Sequence, residues 1–541
     1  MDLSDEEELS NSNMVMSSID ERESFLEPHD RIEEKTKRTN YTTYEDALWA
    51  CHWGRFNLKV LLLCGWAVSS DAIEVLSVSF LLPNAECDLE MTSSDKGWLN
   101  SMVFFGMLIG GYVWGALSDL KGRRDVLILS LLVNGFGNLM SSVSKVYWLF
   151  LLCRFVSGIG VGGSMPVIFT YFTEFQHKSW RGSMISLLAT FWMAGNIIAA
   201  GLAWIVIPAE NLSFETTDFT FNSWRLYIAL CTVPSLSSAI FFVLMPESPK
   251  FLLQKRREQE AISVLTHVHK VNKSARPLTL NSLILNENDN IPSDIVGFIA
   301  ADPSRYLNYF QTFKKTFKEI ICGTKQLFEG KLLRTTILLI MINSTLAFGY
   351  YGLFLWFPEL FNRMDKYGGS FCDIEGTNST STLPISSSCK APGNNVYIQG
   401  FLTSISNLPG NILSIYLVDR VGRKSLLASS MVLSGLSVFF LWFVETHWQS
   451  ILMSCLFGAI SVCGFNMLDV LQTELYPTEV RSTAFGFQTA CARVGAILGN
   501  LVFGELVDVN CAIPMLLVVS FLGAGGISSL GLPNTIGVDI H

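Results

Sequence analysis

The chain reads Asp119-Leu120-Lys121-Gly122-Arg123-Arg124 at one point and Asp419-Arg420-Val421-Gly422-Arg423-Lys424 at another, an offset of 300 residues. A second charged pattern repeats in the same register: Glu174 is followed by Arg181, and Glu474 by Arg481, again 300 residues on. Two independent motifs at one offset mark a duplicated unit. Both copies of the first motif sit between long apolar runs, so the unit is a set of membrane helices, and two such halves facing each other across a pseudo-two-fold axis are how many transporters are built.

Working outward from these motifs, a stretch of about 20 apolar residues crosses the roughly 30 Å hydrocarbon layer as a helix. Twelve such stretches are expected, near 57–83, 97–118, 125–143, 147–172, 182–208, 224–246, 333–361, 395–418, 425–444, 449–475, 482–505 and 511–532. The expected fold class is an all-α membrane protein of twelve transmembrane helices in two pseudo-symmetric six-helix halves. Its expected parts are an acidic disordered cytosolic tail 1–56, a first half 57–246, a cytosolic connection 247–332, a second half 333–532 with an outer loop 362–394, and a short C-terminal tail 533–541.

Composition agrees. Of 541 residues 50% are hydrophobic and only 16% charged, against about 25% charged in ordinary soluble chains. Seven His and twelve scattered Cys without a C-x-x-C pair argue against metal or thioredoxin-like chemistry. The net charge of -9 argues against nucleic acid as a partner. Residues 1–56 hold 14 Asp and Glu against 6 Lys and Arg, so the acidity is local to this segment. It has no positively charged start leading into an apolar core, so it is not read as a signal peptide. No nucleotide-binding signature and no cofactor are expected, and the protein is not read as an enzyme.

Orientation follows from Lys and Arg, which are retained in cytoplasmic loops. The short connections 2-3, 4-5, 8-9 and 10-11 carry nine of them. Both termini are therefore expected in the cytosol, and the 247–332 connection, with Lys250, Lys255, Arg256 and Arg257, joins that side. The sequons Asn211-Leu212-Ser213 and Asn378-Ser379-Thr380 then fall outside, as expected of glycosylation acceptors. Cys372 and Cys389 share the outer 7-8 loop, either as a short disulfide or as two thiols.

These elements resemble the major facilitator superfamily, whose 2-3 and 8-9 loops carry a Gly-x-x-x-Asp-x-x-Gly-Arg-Arg/Lys signature. Gly115, Asp119, Gly122, Arg123 and Arg124 fit it, whereas the second copy has Ile415 in place of the leading Gly. Pro246-Glu247-Ser248-Pro249-Lys250 looks like a signature of sugar porters and organic-ion carriers. A closer resemblance, to the synaptic vesicle glycoprotein 2 family, runs through Gly54-Arg55-Phe56, Asp71-Ala72-Ile73-Glu74-Val75, Phe191-Trp192-Met193, Pro246 to Leu253, Tyr350-Tyr351-Gly352-Leu353, Trp356-Phe357-Pro358, Leu468-Asp469-Val470-Leu471 and Glu474-Leu475-Tyr476-Pro477. The best-known members have a much longer 7-8 loop, so roles tied to that loop do not carry over.

An ionisable side chain near the bilayer centre costs about 2.5 kcal/mol or more, so it normally faces protein or water and is a functional candidate. Asp71 and Glu74 lie three residues apart on one face of helix one, which lines the cavity in the fold this chain resembles. Arg154 of helix four falls at a similar depth to Glu74, and the two are expected to pair. Asp71 is then the less neutralised acid, as a proton-coupling site requires. Asp469 and Arg493, on helices ten and eleven, are expected to form the site of the second half, with Asp469 contacting the substrate and Arg493 its counter-ion or an anion contact. Among the aromatics Trp66, Trp192, Tyr350, Tyr351, Trp356 and Phe465, the resemblance singles out Trp192 and Tyr351. Asp119, Arg123, Arg124, Glu174, Arg181, Asp419, Arg423, Glu474 and Arg481 are expected to act as a conformational latch.

The expected function is secondary active transport of a small polar organic solute, an organic ion, sugar or vitamin-like compound, by alternating access coupled to protons or potential. The alternative is a transporter-like vesicle protein that regulates trafficking through partners bound by the N-terminal tail. Expected partners are the solute, protons and membrane lipid, and the chain is expected to be a monomer. By resemblance the membrane is the plasma membrane or that of a secretory or synaptic vesicle.

Overall fold

The computed structural model describes residues 42–209, 213–216, 219–274, 276, 278, 283–284, 323–330, 332–367, 392–444, 446–477 and 480–533. Among them are twelve helices long and apolar enough to cross a membrane: Arg55–Asp88, Ser93–Lys121, Arg123–Ser142, Tyr147–Thr173, Lys178–Val206, Ser223–Val243, Leu332–Lys366, Asn394–Val418, Arg423–Leu441, His447–Leu475, Thr483–Leu506 and Ala512–Ser529. We call them the first to twelfth spans, and the end of the bundle where the first span finishes the outer end.

Two spans differ instructively from their sequence boundaries. The first was expected to stop at Pro83, yet the helix runs on to Asp88 with Pro83 inside it, because neighbouring helices in a membrane bundle resatisfy the backbone groups a proline frees. The seventh is two helices, Leu332–Phe354 and Phe357–Tyr367, joined through Trp356, whose N–H donates to the Leu353 carbonyl at 3.0 Å.

The duplication is visible in the backbone. Gly122 ends the second span and opens the third with φ 113°, and Gly422 does the same between the eighth and ninth with φ 88°. Left-handed φ values cost a side-chain-bearing residue, which is why the repeated motif carries glycine at this junction. Within each half, small residues bring helices together. A Cβ on Gly110 of the second span would lie 2.1 Å from the Ile159 carbonyl of the fourth, and one on Gly410 of the eighth 2.3 Å from the Ala459 carbonyl of the tenth.

The halves meet at the outer end and diverge inward. A Cβ on Gly97, in the second span, would fall 2.9 Å from the Gly504 Cα of the eleventh. Toward the inner end of the same two helices, Gly115 and Gly486 face open space. The signature glycine Gly115 therefore makes no close helix approach in this conformation, and Ile415 at the equivalent place is exposed.

A smaller compact unit gathers described residues of 42–58, 174–179 and 248–284. Its existence corrects the expectation that residues 1–56 are wholly disordered and that 247–332 is a loop. Thr43 caps a helix Tyr44–Cys51 that buries Tyr44, Ala47, Leu48 and Cys51, the i, i+3, i+4, i+7 stripe of an amphipathic helix. Helices Pro249–Gln254 and Glu258–Asn272 belong to the same unit. The Asn272 amide bonds it together, accepting from the Phe56 N–H at 2.8 Å and donating to the carbonyl of His52 at 2.9 Å and the side chain of Asn57 at 2.8 Å. Thr42–Thr43 pairs in parallel with Leu283–Ile284. The acidic surroundings hid this stripe from a reading weighted by charge.

Candidate functional site in the membrane bundle

In the first span Asp71 and Glu74 are 0% and 1% exposed, and their surroundings differ. Glu74 Oε1 lies 3.0 Å from Arg154 Nη1 and accepts from the Ser157 hydroxyl at 2.5 Å. Arg154 is satisfied further by Asn138 Oδ1 at 2.6 Å, the Glu74 carbonyl at 2.9 Å and Ser77 Oγ at 3.1 Å. The pair lies between the first, third and fourth spans, and its contacts and hydrogen bonds help to offset the desolvation of a buried ion pair, although Arg154 Nε is buried with no hydrogen-bond partner among the described residues. Asp71 has one donor, the Ser164 hydroxyl at 2.7 Å on Oδ2. Its Oδ1 is buried with no hydrogen-bond partner among the described residues.

Arg493 of the eleventh span, expected as the counter-ion of Asp469 or as an anion contact, makes no ion pair within 4 Å of Asp469 among the described residues. Its Nη2 points to the Met165 sulfur at 3.9 Å and its guanidinium lies 5.9 Å from the Phe104 ring centroid, both in the first half. From there it acts electrostatically on Asp71, Asp469 and Tyr351. One cation therefore faces an acid of each half. Asp469 is exposed although it lies six residues before the end of the tenth span at Leu475, on the side where the halves diverge.

Aromatic rings wall this region. Tyr351 lies 5.0 Å from Phe104 and 6.0 Å from Phe465, centroid to centroid. Tyr350 is buried against Phe354 at 4.9 Å and receives the Asn407 amide at 3.5 Å. Trp192 is half-buried against the core. Trp66 and Trp356 are structural: Trp66 donates to Ser237 Oγ at 2.9 Å, and Trp356 is buried against Phe503 at 6.0 Å.

Several of the latch residues make ion pairs in their loops. Arg123 reaches Asp119 at 3.2 Å and the Ser118 carbonyl at 3.0 Å; Arg124 reaches its neighbour Asp125 at 2.7 Å. In the second half Arg423 Nε lies 2.9 Å from Glu474 Oε1. Arg481 turns instead to the Tyr476 carbonyl, at the C-terminal end of the tenth span, at 3.3 Å, and not to the Glu474 side chain. Glu174 belongs to the smaller unit, where its carbonyl accepts from the Tyr44 hydroxyl, and Arg181 lies in the fifth span. The side chain of Asp419 lies outside the described residues, as do Asn211, Asn378, Cys372 and Cys389.

Two features escaped the sequence reading. Glu247 accepts from the backbone N–H of Arg123 and Arg124 at 3.0 and 3.1 Å, a carboxylate on the N-terminus of the third span, where the helix dipole favours it. The spacing of 123 residues between them left no local signal. Cys87 and Cys511, at the outer ends of the first and twelfth spans, are each disulfide-bonded, whereas seven other described cysteines are free.

The chain matches the family model of sugar (and other) transporters over residues 25–283 and that of the major facilitator superfamily over residues 367–534. It is 33% identical to synaptic vesicle glycoprotein 2C of Rattus norvegicus, over 91% of this chain and 80% of that protein. It is 32% identical to synaptic vesicle glycoprotein 2B of Homo sapiens, over 91% and 85%. Among solved structures, the inward open xylose transporter XylE from E. coli superposes with a TM-score of 0.64 at 15% identity, over 90% of this chain and 98% of that one. Its partially occluded inward open form gives 0.62 at 16% identity, over 89% and 99%. The twelve spans, the duplicated glycine junctions and these matches agree: the chain belongs to the synaptic vesicle glycoprotein 2 family of the major facilitator superfamily.

Proposed function

We propose that the protein is a secondary active carrier that moves a small polar organic solute by alternating access, with Asp71 as its proton-coupling group. The observation that carries this reading is the contrast between neighbours: Glu74 is held in an ion pair with Arg154, whereas Asp71 keeps a buried oxygen without a donor and lies within electrostatic reach of Arg493 from the other half. An acid placed so exchanges a proton when the halves move, because Arg493, the cation that acts on it, belongs to the other half. Asp469, Arg493, Tyr351 and Trp192 form the solute site, the charges orienting it and the rings supporting an apolar or cationic face. The arginines of the 2-3 and 8-9 loops act as the inner latch.

The inner end faces the cytosol under the positive-inside rule. The disulfide-bonded Cys87 and Cys511 support this, since disulfides persist on the oxidising side of a membrane. The relatives' name as synaptic vesicle glycoproteins supports a vesicle membrane. It also supports a second reading, a trafficking protein that engages partners through its N-terminal segment. Uptake into proteoliposomes from a mixed pool of sugars, vitamins and organic cations under a pH gradient, read by mass spectrometry, separates the two. A solute accumulated by the wild type and lost in Asp71→Asn and Asp469→Asn supports the carrier. Equal signals in all three proteins, with either gradient direction, overturn it for that pool.

A further inference from the structure

At the outer end a charged network joins the halves. Lys96, in the first turns of the second span, is 1% exposed. Its Nζ lies 2.9 Å from Glu86 Oε2 of the first span and 2.8 Å from Glu359 Oε1 of the outer piece of the seventh. Glu359, 2% exposed, also holds Arg363 Nε at 3.1 Å. Arg363 in turn reaches Asp508 at 2.9 Å and Ser93 Oγ at 2.9 Å, and Ser94 donates to Glu505. Three of these contacts cross between the halves: Lys96 with Glu359, Ser93 with Arg363, and Ser94 with Glu505. The rest stay within one half, Lys96 with Glu86 on one side and Glu359 with Arg363 and Asp508 on the other.

The division has a physical consequence. Breaking a buried ion pair is costly chiefly when it leaves a charge without a counter-charge. If the outer end parts, Lys96 retains Glu86 and Glu359 retains Arg363, so neither half is left with a stranded charge. The crossing contacts are forfeited and little else. A network of this form has two satisfied arrangements, closed and open, which is what a switch requires. The neighbouring Gly97 and Gly504 contact packs the same place without side chains that must repack.

We propose that Lys96 and Glu359 are the cross-half bolt of an outer charge lock, which holds the outer end shut in the inward-open state and sets how often it opens. The lock rests on the alternating-access reading. Its test does not require a substrate, so failure to find one leaves the test intact.

The test is hydrogen–deuterium exchange with mass spectrometry on the full chain in lipid nanodiscs, comparing wild type, Lys96→Met, Glu359→Gln and the double variant. Each single variant is expected to speed exchange at 84–97 and 357–366 by about 3-fold to 100-fold, the range that couplings between contacting residues span, with the inner ends unchanged. The double variant, which leaves neither partner facing a lost one, is expected to add little to the larger single effect. No change at the outer end, additive effects, or a rise of equal size at the inner ends would each overturn the lock, the last by marking general loss of stability.

Discussion

Gly110 and Gly410, 300 residues apart, make the same contact in the two halves: a Cβ on either would press within 2.3 Å of a carbonyl on the facing helix, Ile159 in one and Ala459, again 300 residues on, in the other. Neither carbonyl can yield without moving its helix. Gly110→Val and Gly410→Val are each expected to cost at least the ~1–3 kcal/mol of overpacking, read as a lowered midpoint of thermal unfolding in detergent. Gly115→Ala, into open space, should leave the midpoint unchanged. A stable Gly110→Val protein would mean the helices are not in backbone contact.

Asp71 and Glu74 should part company under neutralisation. Glu74→Gln leaves Arg154 buried without its counter-charge, and losing one partner of such a pair costs about 3–5 kcal/mol. Poor folding and a large drop in unfolding midpoint are expected. Asp71→Asn removes a group with a single hydroxyl donor, so the midpoint should stay close to that of the wild type while proton-driven accumulation is lost and counter-flow without a gradient persists. Equal instability of the two variants would make Asp71 a structural residue.

How far the sequence reaches is clear from particular residues. The twelve spans were legible because each is a local property of about 20 apolar residues, and the duplication because glycine at 122 and 422 answers a backbone demand that no other residue meets well. The Glu74 and Arg154 contact was legible because two opposite charges at one depth have few other places to go. Arg493 was not. Its partners depend on how far the halves are tilted, a quantity set by the Gly97 and Gly504 contact and by the outer ion pairs, none of which leaves a periodic trace. The helix 44–51 was masked by the charges around it.

Cys87 and Cys511 give a chemical check on orientation. In cells that carry the protein at the plasma membrane, a membrane-impermeant reductant followed by a bulky, impermeant maleimide is expected to add label to the wild type, and the added label should fall in Cys87→Ser and Cys511→Ser. Label gained only after the membrane is opened would place these ends on the other side.

The ordered helix 44–51 makes two truncations behave differently. Removing residues 1–41 leaves the stripe of Tyr44, Ala47, Leu48 and Cys51 in place and should not move the unfolding midpoint. Removing residues 1–53 strips those side chains from the smaller unit and exposes the apolar surfaces they cover, and a buried Leu such as Leu48 is by itself worth about 1.5–3 kcal/mol. The second truncation is therefore expected to make helix 258–272 sensitive to limited proteolysis while the membrane spans stay protected. If both truncations leave that helix equally resistant, the N-terminal segment is a passenger on the smaller unit, and any partner-binding role must be sought in residues 1–41 alone.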